Sequence, residues 1–182
     1  RFADQAEMSD RIKSRLYNCI EPLPEDLLGK FNAFYTNPPW GASNNGESVK
    51  VFAERGMEAC GADAVGVVVI ADDKLVSWSQ RVLAETQRFA LDNGFFVQEM
   101  QTNLHEYHLD DAPDLRSCNL FFRSHPDREL PKKSYALHEK RLEDFYGREQ
   151  SLRVRYVRDT NRVDYGKAVL GTYELEVLGA PK

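Results

Sequence analysis

A chain of 182 residues, 42% of them apolar and with a formal net charge of -5, is long enough for one domain with its own hydrophobic core. The acidic balance argues against nucleic acid as a partner, because such binding rests on lysine and arginine neutralising phosphates, and it suits a cationic substrate. The longest uncharged apolar run, Ala64 to Ala71, falls far short of the roughly 20 residues of a membrane helix, which excludes a helical span and a membrane partner.

The chain opens with Arg1-Phe2-Ala3-Asp4-Gln5, without an initiator methionine or the layout of a signal peptide, and an upstream portion is expected. Leu16 to Ile20 is a short apolar run closed by Glu21-Pro22-Leu23-Pro24, which predicts a strand and a turn. Phe31 to Thr36 is aromatic-rich and halted by prolines, the pattern of a second strand. Val49, Phe52, Ala53, Gly56, Met57 and Cys60 recur at helical spacing, with Ser48 as the expected cap. Val65 to Ile70 is apolar without alternation, as for a strand covered on both faces. Leu75, Trp78, Val82 and Phe89 mark the buried side of a long helix that Asn93-Gly94 ends. Further runs follow at Phe95 to Val97 and Asn119 to Phe122. Beyond them, Leu152, Val154 and Tyr156 alternate with Arg153 and Arg155, and Tyr173, Leu175 and Val177 alternate with Glu174 and Glu176. This period of two predicts half-buried antiparallel strands, a sheet extension or a homodimer contact.

Strand and helix alternate through most of the chain, so the expected fold is an α/β domain with a mostly parallel sheet and antiparallel strands toward the C-terminus. No linker or repeat divides it. We expect one domain over 1–182, with a core at 1–125 and a strand-rich extension at 126–182. Cys19, Cys60 and Cys118 are widely spaced, odd in number and set in apolar stretches. They read as buried free thiols of a reducing compartment, the cytoplasm.

Ligands of such sheets bind beyond the carboxyl ends of the strands, which singles out Asn18 to Glu21, Asn37 to Trp40 and Asp72-Asp73. In Asn37-Pro38-Pro39-Trp40 two prolines stiffen the backbone and remove two N–H donors. The carbonyl and carboxamide of Asn37 are left free to accept hydrogen bonds, and Trp40 offers an aromatic face for a planar base or a cation. A rigid acceptor pair of this kind can hold an amine with its lone pair toward an electrophile; a plain proline turn is the bland alternative. The carboxylates best placed for a cationic substrate are Glu47 and Asp72; Glu47 reads first as a solvated residue in the first turn of its helix, and Asp72 equally as a helix cap. Gly41-Ala42-Ser43-Asn44-Asn45-Gly46 is flexible by composition, which suits a lid or a simple connection. His105-Glu106-Tyr107-His108 with Asp110-Asp111 matches no familiar zinc spacing and reads as a strand-to-loop segment with surface polar groups, or as polyamine-contacting acids, rather than a metal site.

Tyr35-Thr36-Asn37-Pro38-Pro39-Trp40 resembles the Asp/Asn-Pro-Pro-aromatic motif of class I S-adenosylmethionine-dependent enzymes acting on amines. The wider stretch from Pro22-Leu23-Pro24 through Lys30-Phe31 to the helix of Val49 to Cys60 resembles the catalytic domain of branched-chain polyamine synthases, which share the Rossmann-like methyltransferase fold. The resemblance implies aminopropyl transfer from decarboxylated S-adenosylmethionine to the central amine of spermidine, releasing methylthioadenosine. It implies no metal. It further implies that Asn37 and the Pro38 carbonyl orient the amine, that Trp40 borders the pocket, and that Asn18, Cys19 and Ile20 meet the donor's adenine. The family typically carries aspartate where this chain has Asn37. The first strand, the glycine-rich donor loop and the family's acidic cluster are expected upstream of Arg1. Two other readings stay open: an S-adenosylmethionine-dependent amino-methyltransferase, and a non-enzymatic domain that keeps the fold.

Overall fold

The computed structural model describes residues 2–109, 112–138, 141–145, 154–159 and 173–178. Its centre is a four-stranded sheet of β1 (Phe31–Thr36), β2 (Cys60–Ala71), β3 (Phe95–Leu109) and β4 (Ala112–Ser124), in the order β1-β2-β4-β3. β1 runs parallel to β2, and β4 is antiparallel to both β2 and β3. The three strands β1, β2 and β3 therefore point the same way, with β4 inserted between β2 and β3. A short α1 (Phe2–Gln5) opens the chain, α2 (Glu47–Ala59) joins β1 to β2, and α3 (Ser77–Asp92) joins β2 to β3. Downstream, β5 (Val154–Asp159) and β6 (Tyr173–Leu178) form a separate antiparallel ribbon, as the alternation predicts. Leu152, Arg153, Asp110 and Asp111 lie outside the described residues.

Both connecting helices pack on one face of the sheet. Val49, Ala53 and Met57 of α2 and Val82, Leu83 and Ala90 of α3 share a core with Val68 and Ile70, with Cys118, Leu120 and Phe122, and with Phe95. The i, i+4 spacing on the helices and the i, i+2 spacing on the strands bring these side chains to one interface. The opposite face is covered only toward the strand ends: Val69 and Ala71 are buried, whereas Val65 is 48% and Tyr35 67% exposed. This corrects the expectation that β2 is covered on both sides.

Phe34 sits between two glycines. A Cβ on Gly66 would stand 2.2 Å from the Phe34 ring, and one on Gly56 would stand 2.4 Å from it. Only hydrogen side chains leave room for an aromatic ring between α2 and β2. Gly66→Ala is expected to cost about 1–3 kcal/mol of stability by overpacking, read from the urea midpoint. Phe34→Leu in the same chain should recover part of that loss.

Four other sequence expectations are corrected. Leu16 to Ile20 forms no strand: Leu16 is exposed, and Cys19 and Ile20 pack with Val51 and Phe52 on a second side of α2. Their apolar character serves that helix rather than a ladder. Ser48 does not cap α2, which follows Gly46 at φ 83; instead the Glu47 N–H donates to the Asn44 carbonyl at 3.2 Å. Leu75 precedes α3 and is 95% exposed, while Ser79, Thr86 and Ala90 join the buried side of that helix. His105 to His108 lies within β3 rather than at a strand-to-loop junction. Asn93-Gly94 does end α3, with Gly94 at φ 74. All three cysteines are buried, as expected, and burial, with the Asp72 charge nearby, pushes the Cys118 thiol up to about 12.

Candidate functional site

Asn37 to Trp40 leaves the carboxyl end of β1. Pro38 is buried, Asn37 and Pro39 are exposed, and Trp40 is half-buried. The Trp40 indole N–H donates to the Val69 carbonyl at 3.1 Å, which pins the ring against the neighbouring strand. Asp72 begins just beyond the carboxyl end of β2. Its N–H donates to the Arg116 carbonyl at 2.8 Å, and its Oδ1 accepts from Gln80 Nε2 at 3.1 Å. Asp73 fastens the same loop through Leu75 N–H at 2.9 Å and Ser79 Oγ at 3.2 Å.

The strands β3 and β4 run past the end of β2 as a hairpin arm, much longer than the apolar runs that predict them. Its register shifts between Gln101 and His105, with Asn103 at φ 62 and Arg116 Nη1 donating to Asn103 Oδ1 at 2.7 Å. Such an irregularity bends the strand and re-aims its side chains. Beyond it, the Tyr107 ring meets Trp40 edge to face at 4.6 Å, and the Tyr107 hydroxyl accepts from Asn37 Nδ2 at 3.4 Å. His105 lies 6.5 Å from Tyr107, ring to ring. Asp72, Asp73, Lys74, Leu75, Thr102, Asn103 and Arg116 line a cavity of about 620 Å3 between the arm and the end of β2. Tyr107 is the site residue that sequence reasoning passed over. Its signal was the alternation of His105 and Tyr107 with Glu106, which marks one side of a strand.

The loop 41–46 is a fastened turn rather than a free lid. Gly46 N–H donates to the Gly41 carbonyl at 2.9 Å, and Gly41, Asn45 and Gly46 all carry positive φ. Asn44 Nδ2 donates to Ser48 Oγ at 2.9 Å and to the carbonyls of Glu143 and Asp144, each at 3.4 Å. Ser48 Oγ donates in turn to the Phe145 carbonyl. Residues 141–145 thus clamp the start of α2.

Glu47 belongs to this clamp. One of its oxygens pairs with Lys50, and the other accepts from Arg141 Nε at 3.0 Å. Arg141 also pairs with Glu54 at 2.9 Å. The charge offered by sequence to a cationic substrate is therefore already matched by two cations. Burial alone would raise the Glu47 carboxyl, but hydrogen bonds and charge from Lys50 and Arg141 outweigh it and hold the group below its ordinary 4.5. A depressed folded value means that the stabilisation is present above 4.5 and lost as pH falls through the folded value. Glu47→Gln should lower stability at neutral pH by up to about 1 kcal/mol and converge with the parent in acid, measured by urea unfolding across pH.

Of Asn18, Cys19 and Ile20, the last two belong to a different cluster from Trp40. Asn18 Oδ1 accepts from the Ile20 N–H at 3.4 Å in a local turn, and the Cys19 carbonyl accepts from buried Arg55 Nε at 2.9 Å. Cys19 and Ile20 belong to the cluster of Val51 and Phe145, whereas Trp40 packs against the main core.

A second cavity of about 460 Å3 lies at the far end of α2 and α3, lined by Met57, Asn93, Gly94 and Arg128 among others. Arg128 donates there to the carbonyls of Met57 at 2.7 Å and of Cys60, Gly61 and Asn93 at 3.2 Å, satisfying the ends of both helices. Among the described residues no three His, Cys, Asp or Glu side chains converge as metal ligands. Nor, among them, is any helix long and apolar enough to cross a membrane.

Comparison with known proteins agrees with the motif. The family model of the branched-chain polyamine synthase A C-terminal domain matches residues 1–170. The N(4)-bis(aminopropyl)spermidine synthase of Thermus thermophilus is 29% identical over 114 residues, 59% of this chain and 30% of that protein. An uncharacterized protein of Methanocaldococcus jannaschii is 26% identical over 97 residues, 53% of this chain and 22% of its own length. In structure the chain is similar to the branched-chain polyamine synthase of Thermus thermophilus in complex with N4-aminopropylspermidine and 5'-methylthioadenosine. The match has a TM-score of 0.57 and 21% identity, and covers 76% of this chain and 44% of that one. The chain thus spans less than half the length of these relatives, and with its mixed sheet it shares the fold of the solved synthase. It belongs to the family of branched-chain polyamine synthase C-terminal domains.

Proposed function

We propose that this chain is part of a transferase that alkylates an amine, moving the aminopropyl group of decarboxylated S-adenosylmethionine to the central nitrogen of spermidine. The observation that carries the reading is Asn37-Pro38-Pro39-Trp40 at the carboxyl end of β1, held by Val69 and roofed by Tyr107. Family membership and the ligands named for the structural relative support it.

A sulfonium donor is already a strong electrophile, so the protein chiefly aligns an unprotonated amine with the reacting carbon. The amine lone pair forms the N–C bond as the C–S bond breaks; the sulfonium leaves as the neutral thioether methylthioadenosine, and the nitrogen's proton passes to solvent. In this reading Asn37 Oδ1 and the Pro38 carbonyl share the single N–H of the neutral amine, and Trp40 walls the pocket. Asp72 draws an ammonium of the polyamine toward the cavity at the end of β2, and Glu47 acts through the loop it fastens. Asn18, Cys19 and Ile20 are assigned to the donor's adenine on the family resemblance. Three buried cysteines, widely spaced and set in apolar surroundings, support a cytoplasmic setting. The β5–β6 ribbon offers a contact for a homodimer.

The test is calorimetric binding of methylthioadenosine and of S-adenosylhomocysteine, each with and without spermidine, to the longest native form. Preference for methylthioadenosine, strengthened by spermidine, is the expected result. Preference for S-adenosylhomocysteine would sink it in favour of methyl transfer, and binding of neither would favour a non-enzymatic domain.

A further inference from the structure

We infer that the segment from Ser134 to Phe145 acts as a strap joining the donor turn at 18–20 to the turn behind the amine motif at 41–46, so that a ligand at either turn strengthens binding at the other. This inference rests on the amine-alkylating reading above, which places the donor's adenine at Asn18 to Ile20.

The strap holds both turns. At its upstream end the Leu137 N–H donates to the Ile20 carbonyl at 3.3 Å, and the Ser134 hydroxyl accepts from the Leu23 N–H at 2.8 Å. Arg55 closes this end by donating to the carbonyls of Cys19 at 2.9 Å and Tyr135 at 2.8 Å. At the downstream end the carbonyls of Glu143 and Asp144 accept from Asn44 Nδ2, each at 3.4 Å, and the Phe145 carbonyl accepts from Ser48 Oγ. Arg141 fastens that end to α2 through Glu47 and Glu54.

Neither end moves alone. Three residues separate Leu137 from Arg141, and four steps of fully extended chain span at most about 14 Å. The Arg141 N–H donates back to the His138 carbonyl at 2.9 Å, which shortens that reach further. Packing joins the same parts: Cys19 and Ile20 of the donor turn share one apolar cluster with Leu137, Leu142 and Phe145 of the strap. Phe145 in turn stacks on Phe52 of α2, with ring centres 6.2 Å apart. Groups packed to this density transmit a displacement rather than absorb it. A first ligand that orders one turn therefore orders the strap, and the second ligand meets a turn that has already lost its freedom. Donor and amine then gain from each other beyond any contact they make themselves.

The experiment is calorimetry on the longest native form, measuring methylthioadenosine affinity with and without saturating spermidine in the parent, in Ser134→Ala and in Arg141→Gln. Ser134 bonds at the donor end and Arg141 at the other. Spermidine is expected to tighten methylthioadenosine about tenfold in the parent and less than about threefold in each variant. Parental coupling in either variant, or none in a parent that binds both ligands, overturns the inference. Hydrogen exchange of the ligand-free protein is the second readout. Arg141→Gln should speed exchange about tenfold at the Leu23 and Leu137 amides, at the far end of the strap, while Val68 in the core strand β2 keeps its protection. Faster exchange confined to 41–48 overturns the inference even where transfer is seen. Should Arg141→Gln not fold, Asn44→Ala frees the same end and is read in the same way. Faster exchange at Leu23 and Leu137 in a protein binding neither methylthioadenosine nor S-adenosylhomocysteine upholds the strap and places the failure in the functional reading.

Discussion

Arg55→Met is expected to lower the unfolding free energy by about 3–5 kcal/mol in urea denaturation, the largest stability effect of any single substitution considered. Arg55 is 5% exposed on α2. It donates to Glu58 at 2.8 Å, to Ser134 Oγ at 2.9 Å, and to the carbonyls of Cys19 at 2.9 Å and Tyr135 at 2.8 Å. Ser134 Oγ closes the network by donating to Glu58 at 2.8 Å and accepting from Leu23 N–H at 2.8 Å. Removing the cation leaves a half-buried carboxylate and two carbonyls without their donor, in surroundings where each orphaned group is costly. Arg55→Met combined with Glu58→Met should cost less than Arg55→Met alone, because no charge is then stranded. A single-variant cost below about 1 kcal/mol would show the network to be dispensable. The effect should reach function as well: Arg55 tethers the Asn18 to Ile20 turn, so methylthioadenosine binding to the longest native form is expected to weaken in the variant.

Asn37→Ala is expected to reduce kcat for aminopropyl transfer about 100-fold, with a smaller change in KM. Alanine removes the side-chain acceptor but leaves the Pro38 carbonyl and the Trp40 wall. The polyamine still enters, and its reacting nitrogen loses alignment with the donor carbon. Asn37→Asp restores an acceptor and carries a different signature. A carboxylate favours the ammonium form of the bound amine, so the acid limb of the kcat profile should move to higher pH. An alanine variant with parental kcat would remove Asn37 from the reaction, whichever group is transferred.

Much of the local structure was legible in the chain. Val65 to Ile70 is too rich in β-branched residues for anything but a strand, and Asn93-Gly94 stops α3 where a left-handed residue is needed. The end of β1 was equally plain, because two prolines after an aromatic strand leave the backbone few alternatives. What the sequence concealed depends on partners distant along the chain. Leu16 to Ile20 has strand-like composition, but Arg55 and Val51 draw it onto a helix. Glu47 looks like a free carboxylate until Arg141 arrives from 94 residues downstream. The arm's length was hidden because Gln98 to Glu106 is largely polar, and apolar runs report only the part of a strand that lies over a core.

The clamp on the loop 41–46 bears on when the site becomes competent during synthesis. Asn44 reaches the carbonyl of Asp144, 100 residues later, and Asn37 reaches Tyr107, 70 residues later. A nascent chain that has completed β1, α2 and β2 already holds the motif residues, but it has neither the arm that carries Tyr107 nor the segment that pins the turn after Trp40. Contacts so far apart form late and slowly. Ligand binding should therefore be the last property this chain gains as it leaves the ribosome, and a truncation just before Arg141 should retain the sheet while losing the fixed geometry at its carboxyl edge.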